Sequence, residues 1–499
     1  MSNATAFEAV PADRDTVTTI ESIVSSQKES QSHNDSIQPV FLRTDTHASV
    51  SIRHAEYELA WSKPLHTTNS GMATINFTRG DFLGPVFLSI ELPAISNRFT
   101  TDNTVYKTIV PNNCNSKVPS SAVEEFELSR QTLLVHGRER VGRDYAAYYP
   151  PWSFSRLVDR ISFVAKALQP DQHDDVEVCS CTGDFLAIYE ELFNTQPLGH
   201  QRHLHKEQHR LKQWCKQQST KTQRIFCGLP FFFCTDPQKP FPLVLVNSGK
   251  KFTMQLHIQF HPTRNTVCNG FGPAFERQCM FKKHVPVQTE TGWSQEHVFD
   301  ASQFKVRAFS TELYLDSQAL TEYVRNSAST RKVPITQVHR HMAPVGVDGK
   351  ATVDVDVGVK PLTSICWTSN NSTDADDSTD VDEDMFLESS IHVGKQVYAA
   401  PGHSDFYRYM VPSTAAARIP STQQVLMYSF TNRSPFERAA EGDPVVPHGS
   451  LFGSLIGEAS LHVQSNLEQV ERIKRVAAYS TSVNFLQIRQ DGHVSLAYD

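Results

Sequence analysis

No stretch of this sequence approaches the ~20 consecutive apolar residues that a membrane-crossing helix needs, and its first twenty residues carry Glu8, Asp13 and Asp15 without an apolar core. A secretory leader is therefore not expected, and maturation in a cytosol-like compartment is. Cysteine is short of pattern: the nine are odd in number and irregularly spaced, and only Cys179 and Cys181 lie close together. That excludes a disulfide framework and a zinc knuckle built on paired C-x-x-C spacings. A net charge of −7 supplies no global basic field for nucleic acid. There is no G-x-S-x-G and no phosphate-cradling glycine loop. What the chain has instead is 30 phenylalanines, 27 prolines and 22 glycines in 499 residues, with a mean hydropathy of −0.38. Many punctuated short elements with aromatic cores favour all-β sandwiches over α/β, and the length calls for about two or three domains.

The stretch from Ile225 to Phe260 organises the rest. Lys251 to Phe260 alternates without a fault: Phe252, Met254, Leu256, Ile258 and Phe260 on one face, Thr253, Gln255, His257 and Gln259 on the other. Side chains repeat every two residues along a strand, so this strand has one dry face. Ahead of it stand the wedge Leu229-Pro230-Phe231-Phe232-Phe233 and the run Pro242-Leu243-Val244-Leu245-Val246, which is read as a second buried strand.

Residues 1–50 are rich in Ser, Thr, Asp, Asn and Gln and read as a flexible arm. Alternation marks strands at Thr74–Phe77 and Val86–Leu92, separated by a turn at Arg79-Gly80-Asp81. Val176–Cys179 is a short strand, after which Thr182 caps a helix with Phe185, Ile188, Tyr189 and Leu192 on one stripe. Residues 266–300 read as a connector. A second cycle is expected to open with a strand at Phe304–Leu315 and a helix capped by Asp316, with Leu320, Tyr323 and Val324 inward. Val353, Val355, Val357 and Val359 share a face, 370–384 is an acidic surface loop, and further strands fall at Gln424–Phe430, Ala459–Gln464, Val476–Ile488 and Val494–Tyr498. The domain reading is an arm (1–50), a first sandwich (51–265), the connector (266–300) and a second sandwich (301–499), each half of ordinary domain size.

Candidate chemistry is thin. His205 and His209 stand at i and i+4, with His200 and His203 before them, but no Glu completes H-E-x-x-H, and Lys206, Arg210 and Lys212 repel a cation. A solvated basic surface is the reading. The acidic run Asp374, Asp376, Asp377, Asp380, Asp382, Glu383 and Asp384 lacks the order of a calcium loop and reads as solvated. Arg79-Gly80-Asp81 reads as a turn, and the glycosylation triplets at Asn76, Asn371 and Asn432 read as silent. Cys227 and Cys234 are small core residues, and Glu190-Glu191 lies on a helix beside core residues. No catalytic, cofactor or metal residue is assigned, and the expected role is binding or building rather than turnover.

Several segments, in order, resemble the major capsid protein of nucleocytoplasmic large DNA viruses. Phe77-Thr78-Arg79-Gly80-Asp81-Phe82-Leu83 through Ile90-Glu91-Leu92-Pro93 is similar to the family's first-strand signature. Leu157-Val158-Asp159-Arg160, Val176-Glu177-Val178 and Thr182–Phe193 resemble its strand leading into an amphipathic helix, with Cys181-Thr182-Gly183 where the family has Gly-Gly. Leu229–Phe233 and Pro242-Leu243 resemble the end of a first jelly roll, and Glu312-Leu313-Tyr314-Leu315-Asp316 the opening of a second. Arg418-Ile419-Pro420, Met427-Tyr428-Ser429-Phe430, Gly453–Leu461, Asn484–Ile488 and Leu496-Ala497-Tyr498 resemble the closing strands. The resemblance covers roughly residues 70–499 and departs from the family in the acidic insertion, the arm and the linkers.

The resemblance implies a double jelly roll: two consecutive antiparallel eight-stranded sandwiches. It further implies a homotrimer of pseudo-hexagonal outline, contacts with neighbouring capsid trimers and minor capsid proteins, proximity to an internal membrane, and no direct nucleic-acid contact. Assembly in host cytoplasm into the icosahedral shell of a large double-stranded DNA virus would follow, with no cofactor. Two rivals are a glycan-active hydrolase, which would bring two carboxylates within ~10 Å in a cleft between sandwiches, and a minor or penton capsid component.

Overall fold

The structure, a computed structural model, describes residues 50–94, 149, 153–194, 221–263, 285–289, 292–296, 304–325, 330–369, 385–432, 434, 436, 449–452, 458–466 and 475–498, less short gaps at 67–68, 172, 236–238, 357, 395 and 421–424. Two sandwiches of antiparallel sheets make up these residues. The first uses β1 (Val50–Tyr57), β2 (Ala60–Lys63), β3 (Gly71–Phe77), β4 (Phe82–Leu92), β5 (Val158–Ala167), β6 (Val176–Thr182), β7 (Gln223–Gly228) and β8 (Phe252–Phe260). A hairpin of β9 (Val285–Thr289) and β10 (Gly292–Glu296) follows, then β11 (Lys305–Leu315). Its two sheets run β1-β11-β4-β7 and β2-β3-β8-β5-β6.

The second sandwich uses β12 (Thr330–Pro344), β13 (Lys350–Val355), β14 (Pro361–Ser369), β15 (Phe386–Val393), β16 (Gln396–His403), β17 (Leu426–Ser429), β18 (Leu451–Phe452), β19 (Ala459–Ser465), β20 (Arg475–Arg489) and β21 (Val494–Leu496). One sheet runs β12-β20-β14-β17, with β18 and β21 attached, and the other β13-β19-β15-β16. The short helices are α1 (Ser153–Leu157), α2 (Gly183–Leu192), α3 (Phe232–Thr235), α4 (Leu243–Gly249), α5 (Ser317–Arg325) and α6 (Val411–Ala415), the last continuing a π-helical turn at Phe406–Met410.

The alternation in β8 does what it predicts: Phe252, Met254, Leu256, Ile258 and Phe260 are all buried. They lie beside Ala73, Ile75 and Phe77 of β3 and Ile161 and Phe163 of β5, which are buried with them. Phe163 centres an aromatic knot, its ring 4.9 Å from Phe233, 5.2 Å from Phe241 and 6.1 Å from both Phe231 and Phe77. Capping follows the sequence as well. Thr182 Oγ1 accepts from the Phe185 N–H at 3.3 Å, and Asp316 Oδ1 from the Ala319 N–H at 2.8 Å; both satisfy donors that a helix start leaves open.

Three readings need correction. Pro242–Val246 is not a strand: Leu243–Gly249 is helix α4, ended by Lys250 in the left-handed region (φ 51°). The wedge likewise turns into α3 at Phe232. A short run apolar on all sides carries no period, so pattern alone does not separate a buried helix from a buried strand. The third concerns β11, expected to open the second sandwich. It pairs instead with β1 and β4, Val306 opposite Ile90 and Ala308 opposite Leu88. Alternation says that β11 has one buried face but not whose core that face joins. Smaller differences are that β13 stops at Val355, leaving Val359 exposed, and that Arg475–Arg489 forms one long strand.

The two sandwiches share a seam built on β12 and β20. These fifteen-residue strands pair along their whole length, from Thr330↔Arg489 to Pro344↔Arg475. Near one end, Val333, Ile335, Leu486 and Ile488 belong to the core of the first sandwich. Near the other, on the same face of the ribbon, Ala343 and Val476 belong to the second. Between them sit Gln337, His339, His341, Ser480, Ser482 and Asn484. Across the seam, Gln337 Nε2 donates to the Val178 carbonyl at 3.0 Å and Arg340 donates to Asp184 at 3.2 Å. The Ala417 and Arg418 N–H groups donate to the Leu192 carbonyl at 2.9 and 3.1 Å.

Candidate assembly surface

The motifs singled out from sequence are absorbed by the fold wherever they are described. Arg79-Gly80-Asp81 is the turn from β3 into β4, with Gly80 at φ 84°. Asp81 works internally: its carboxylate accepts from the Leu315 N–H at 2.9 Å, its N–H donates to the Leu313 carbonyl, and its carbonyl accepts from Val244. Asn76 and Asn432 are exposed. Cys227 and Cys234 lie with Cys179 and Cys181 in the first core, and burial pushes the Cys234 thiol up to about 12 and the Cys227 thiol well above its ordinary value. Glu190 and Glu191 are buried on α2, Glu190 accepting from the Asn194 side chain at 2.6 Å. His200, His203, His205, His209, Asn371 and the acidic run 374–384 lie outside the described residues. Among the described residues, no group of three or more His, Cys, Asp or Glu is placed to hold a metal ion, and no helix is long and apolar enough to cross a membrane.

Two features went unread in the sequence. Glu312 is fully buried on β11 and accepts from the hydroxyls of Tyr57 on β1 and Tyr314, the latter at 2.7 Å. Burial, then the hydrogen bond and charge of Glu312, raise the Tyr57 phenol far above its ordinary value. The trio ties edge strand β1 to the sheet. The second feature is apolar surface on the second sandwich, where β16 and the 406–415 helical segment expose Val397 (53%), Met410 (63%), Tyr398, Phe406 and Tyr409. Two of these side chains are held by rings packed against them. Tyr398 packs on Phe430 at 5.4 Å, and Phe406 on the buried Tyr407, which packs on Trp367 at 5.1 Å. The first sandwich exposes Ile52 (63%) on β1 and Trp61 on β2, both edge strands. Exposed aromatic and Met side chains gathered on one surface are what protein interfaces are enriched in. Their sequence trace is the run Phe406-Tyr407-Arg408-Tyr409-Met410, whose exposure is a tertiary property.

The chain superposes on PBCV-1 VP54, as fitted into a reconstruction of the virophage Sputnik, with a TM-score of 0.57 at 12% identity, covering 92% of this chain and 100% of that one. It superposes on a chain of the PBCV-1 virus capsid with a TM-score of 0.59 at 13% identity and the same coverage. The fold is a double jelly roll. The fold expected from the capsid-protein resemblance is therefore met over both halves of the chain, although at the level of sequence no known family and no curated protein matches it. The double jelly roll also accounts for the unusual use of β11, because each sandwich closes only with strands far apart in sequence.

Proposed function

We propose that this chain is the major structural protein of the icosahedral shell of a large double-stranded DNA virus, assembled from trimers in the host cytoplasm. The observation that carries this reading is a shared fold spanning 92% of this chain and all of a PBCV-1 capsid chain. The physical logic is geometric. One chain supplies two similar wedges, three chains supply six, and six nearly equivalent sides tile a hexagonal lattice. The apolar surface of β16 and the 406–415 segment, together with the edges carrying Ile52 and Trp61, provides two unlike patches per chain. A head-to-tail contact between unlike patches closes into a ring. Such a contact would bury on the order of 2,000 Å², with weaker contacts to neighbouring trimers and to minor capsid proteins. The role is building, with no reaction assigned.

The test is electron microscopy and sedimentation of the purified protein. Trimers of pseudo-hexagonal outline are expected, and substitution of Met410 and Tyr409 by Asp should release folded monomers. A wild-type protein that stays monomeric at tens of micromolar overturns the reading.

A further inference from the structure

The polar band in the middle of the β12–β20 ribbon collects histidines. His339 and His341 sit two residues apart on the face of β12 that turns from one core to the other. His341 shares a 2.9 Å hydrogen bond with Ser480 Oγ. His339 has its Nε2 buried with no hydrogen-bond partner among the described residues. At another point of the seam, His493 in the β20–β21 turn meets His173 of the first sandwich at 5.6 Å between ring centroids and Phe252 at 5.8 Å. Next to it the Lys251–Asp491 ion pair (2.7 Å) bridges the sandwiches.

We propose that this seam is an acid-sensitive latch, closed while His339, His341 and His493 are uncharged and loosened when they take up protons. The inference concerns the chain itself and does not depend on its role in a shell.

The charges around the three rings do not rescue a protonated state. His339 faces Lys360, His341, Asp356 and Glu177; burial is the main cause that lowers it to about 4, and Lys360 and His341 add to the shift against the two carboxylates. Glu177 is already engaged by Arg160 at 2.6 Å. His341 is lowered by burial, opposed by Asp356. His493 is lowered by burial and by Arg489, with His173 and Lys251 adding and Asp491 opposing. The nearby Arg340–Asp184 pair crosses the same seam. In each case the closed seam prefers the neutral ring. Opening to water returns the ring towards the ordinary value of about 6.5, so opening takes up protons. The hold is complete above that value and is lost progressively as pH falls through it towards the lowered ones. Each such histidine makes opening easier as pH falls through that window, by at most about tenfold per pH unit.

Amide hydrogen exchange on the full-length protein, corrected for intrinsic rates, reads this directly. Between pH 6.5 and 5.5 the opening equilibrium of β12 and β20–β21 should rise severalfold, about fivefold from His339 alone. Strands β4 and β11 of the first sandwich, which carry no histidine, should change less than about twofold. His339→Gln cannot titrate there and should flatten the pH dependence at β12, while His493→Gln, in the half-buried β20–β21 turn, should do so at β21. Parallel loss of protection in seam and control strands overturns the proposal, whether or not the variants fold. So does an unchanged pH dependence in both variants.

Discussion

At one point of the seam two glycines meet backbone to backbone, and the contact sets a quantitative test. Gly492, in the turn after β20, has φ +78° and lies against Gly249 at the end of α4. A Cβ added at Gly492 would stand 2.6 Å from the Gly249 Cα, 2.9 Å from its N and 3.0 Å from the Val246 carbonyl oxygen. All three are backbone atoms, so no flexible side chain can yield. Gly492→Ala therefore incurs two costs: about 1–2 kcal/mol for a left-handed alanine, and about 1–3 kcal/mol for forcing apart packed elements. Gly358→Ala separates them, because Gly358 also has a positive φ (+54°) but nothing within 4 Å of its added Cβ. It should lose only the conformational part. Equilibrium urea denaturation is the assay, and Gly492→Ala should lose about 1–3 kcal/mol more than Gly358→Ala. Equal losses would refute the claim that the sandwiches are in backbone contact here. Gly249→Ala, whose Cβ would sit 2.1 Å from the Asp491 carbonyl oxygen, should be at least as damaging as Gly492→Ala.

Other expectations follow from buried groups. Cys179, Cys181, Cys227 and Cys366 are enclosed and Cys234 is half-buried, and burial raises every one of these thiols. A thiol reagent at neutral pH should leave them unmodified in the native protein and modify them on unfolding; peptide mass mapping that finds any of the five labelled in folded protein contradicts the packing. Glu312→Ala should cost about 2–3 kcal/mol by stranding the hydroxyls of Tyr57 and Tyr314, and adding Tyr57→Phe and Tyr314→Phe should recover part of the loss in thermal unfolding. Thr182→Ala removes the α2 cap and should cost about 1 kcal/mol by the same measurement.

What the sequence made legible was governed by period and by caps. β8, α2 and α5 were readable because each has a complete local signature, five alternating apolar residues or a capping side chain before an apolar stripe. β12 went unread because its alternation is spoiled in the middle by Gln337, His339 and His341, the residues that line the seam. β20 was readable only as one or two strands without an assignable face, since Val476 to Asn484 are buried throughout between the two sandwiches and show no alternation. The assignment of β11 failed for a different reason: local pattern gives a strand its faces, and only long-range closure gives it a partner. The candidate surface was least legible, since Val397 and Met410 look like core residues until their surroundings are known.

The crossing of β20 into the other half's core bears on how the chain can be made. Val333, Ile335, Leu486, Ile488 and Val494 join a core most of whose members lie between Leu59 and Leu315. A ribosome therefore releases the first sandwich with part of its apolar interior open to water, and keeps it so until more than 150 further residues have emerged. Biogenesis then demands that this exposed surface be shielded from other nascent copies, so crowding during bulk synthesis is the moment of greatest risk for the protein.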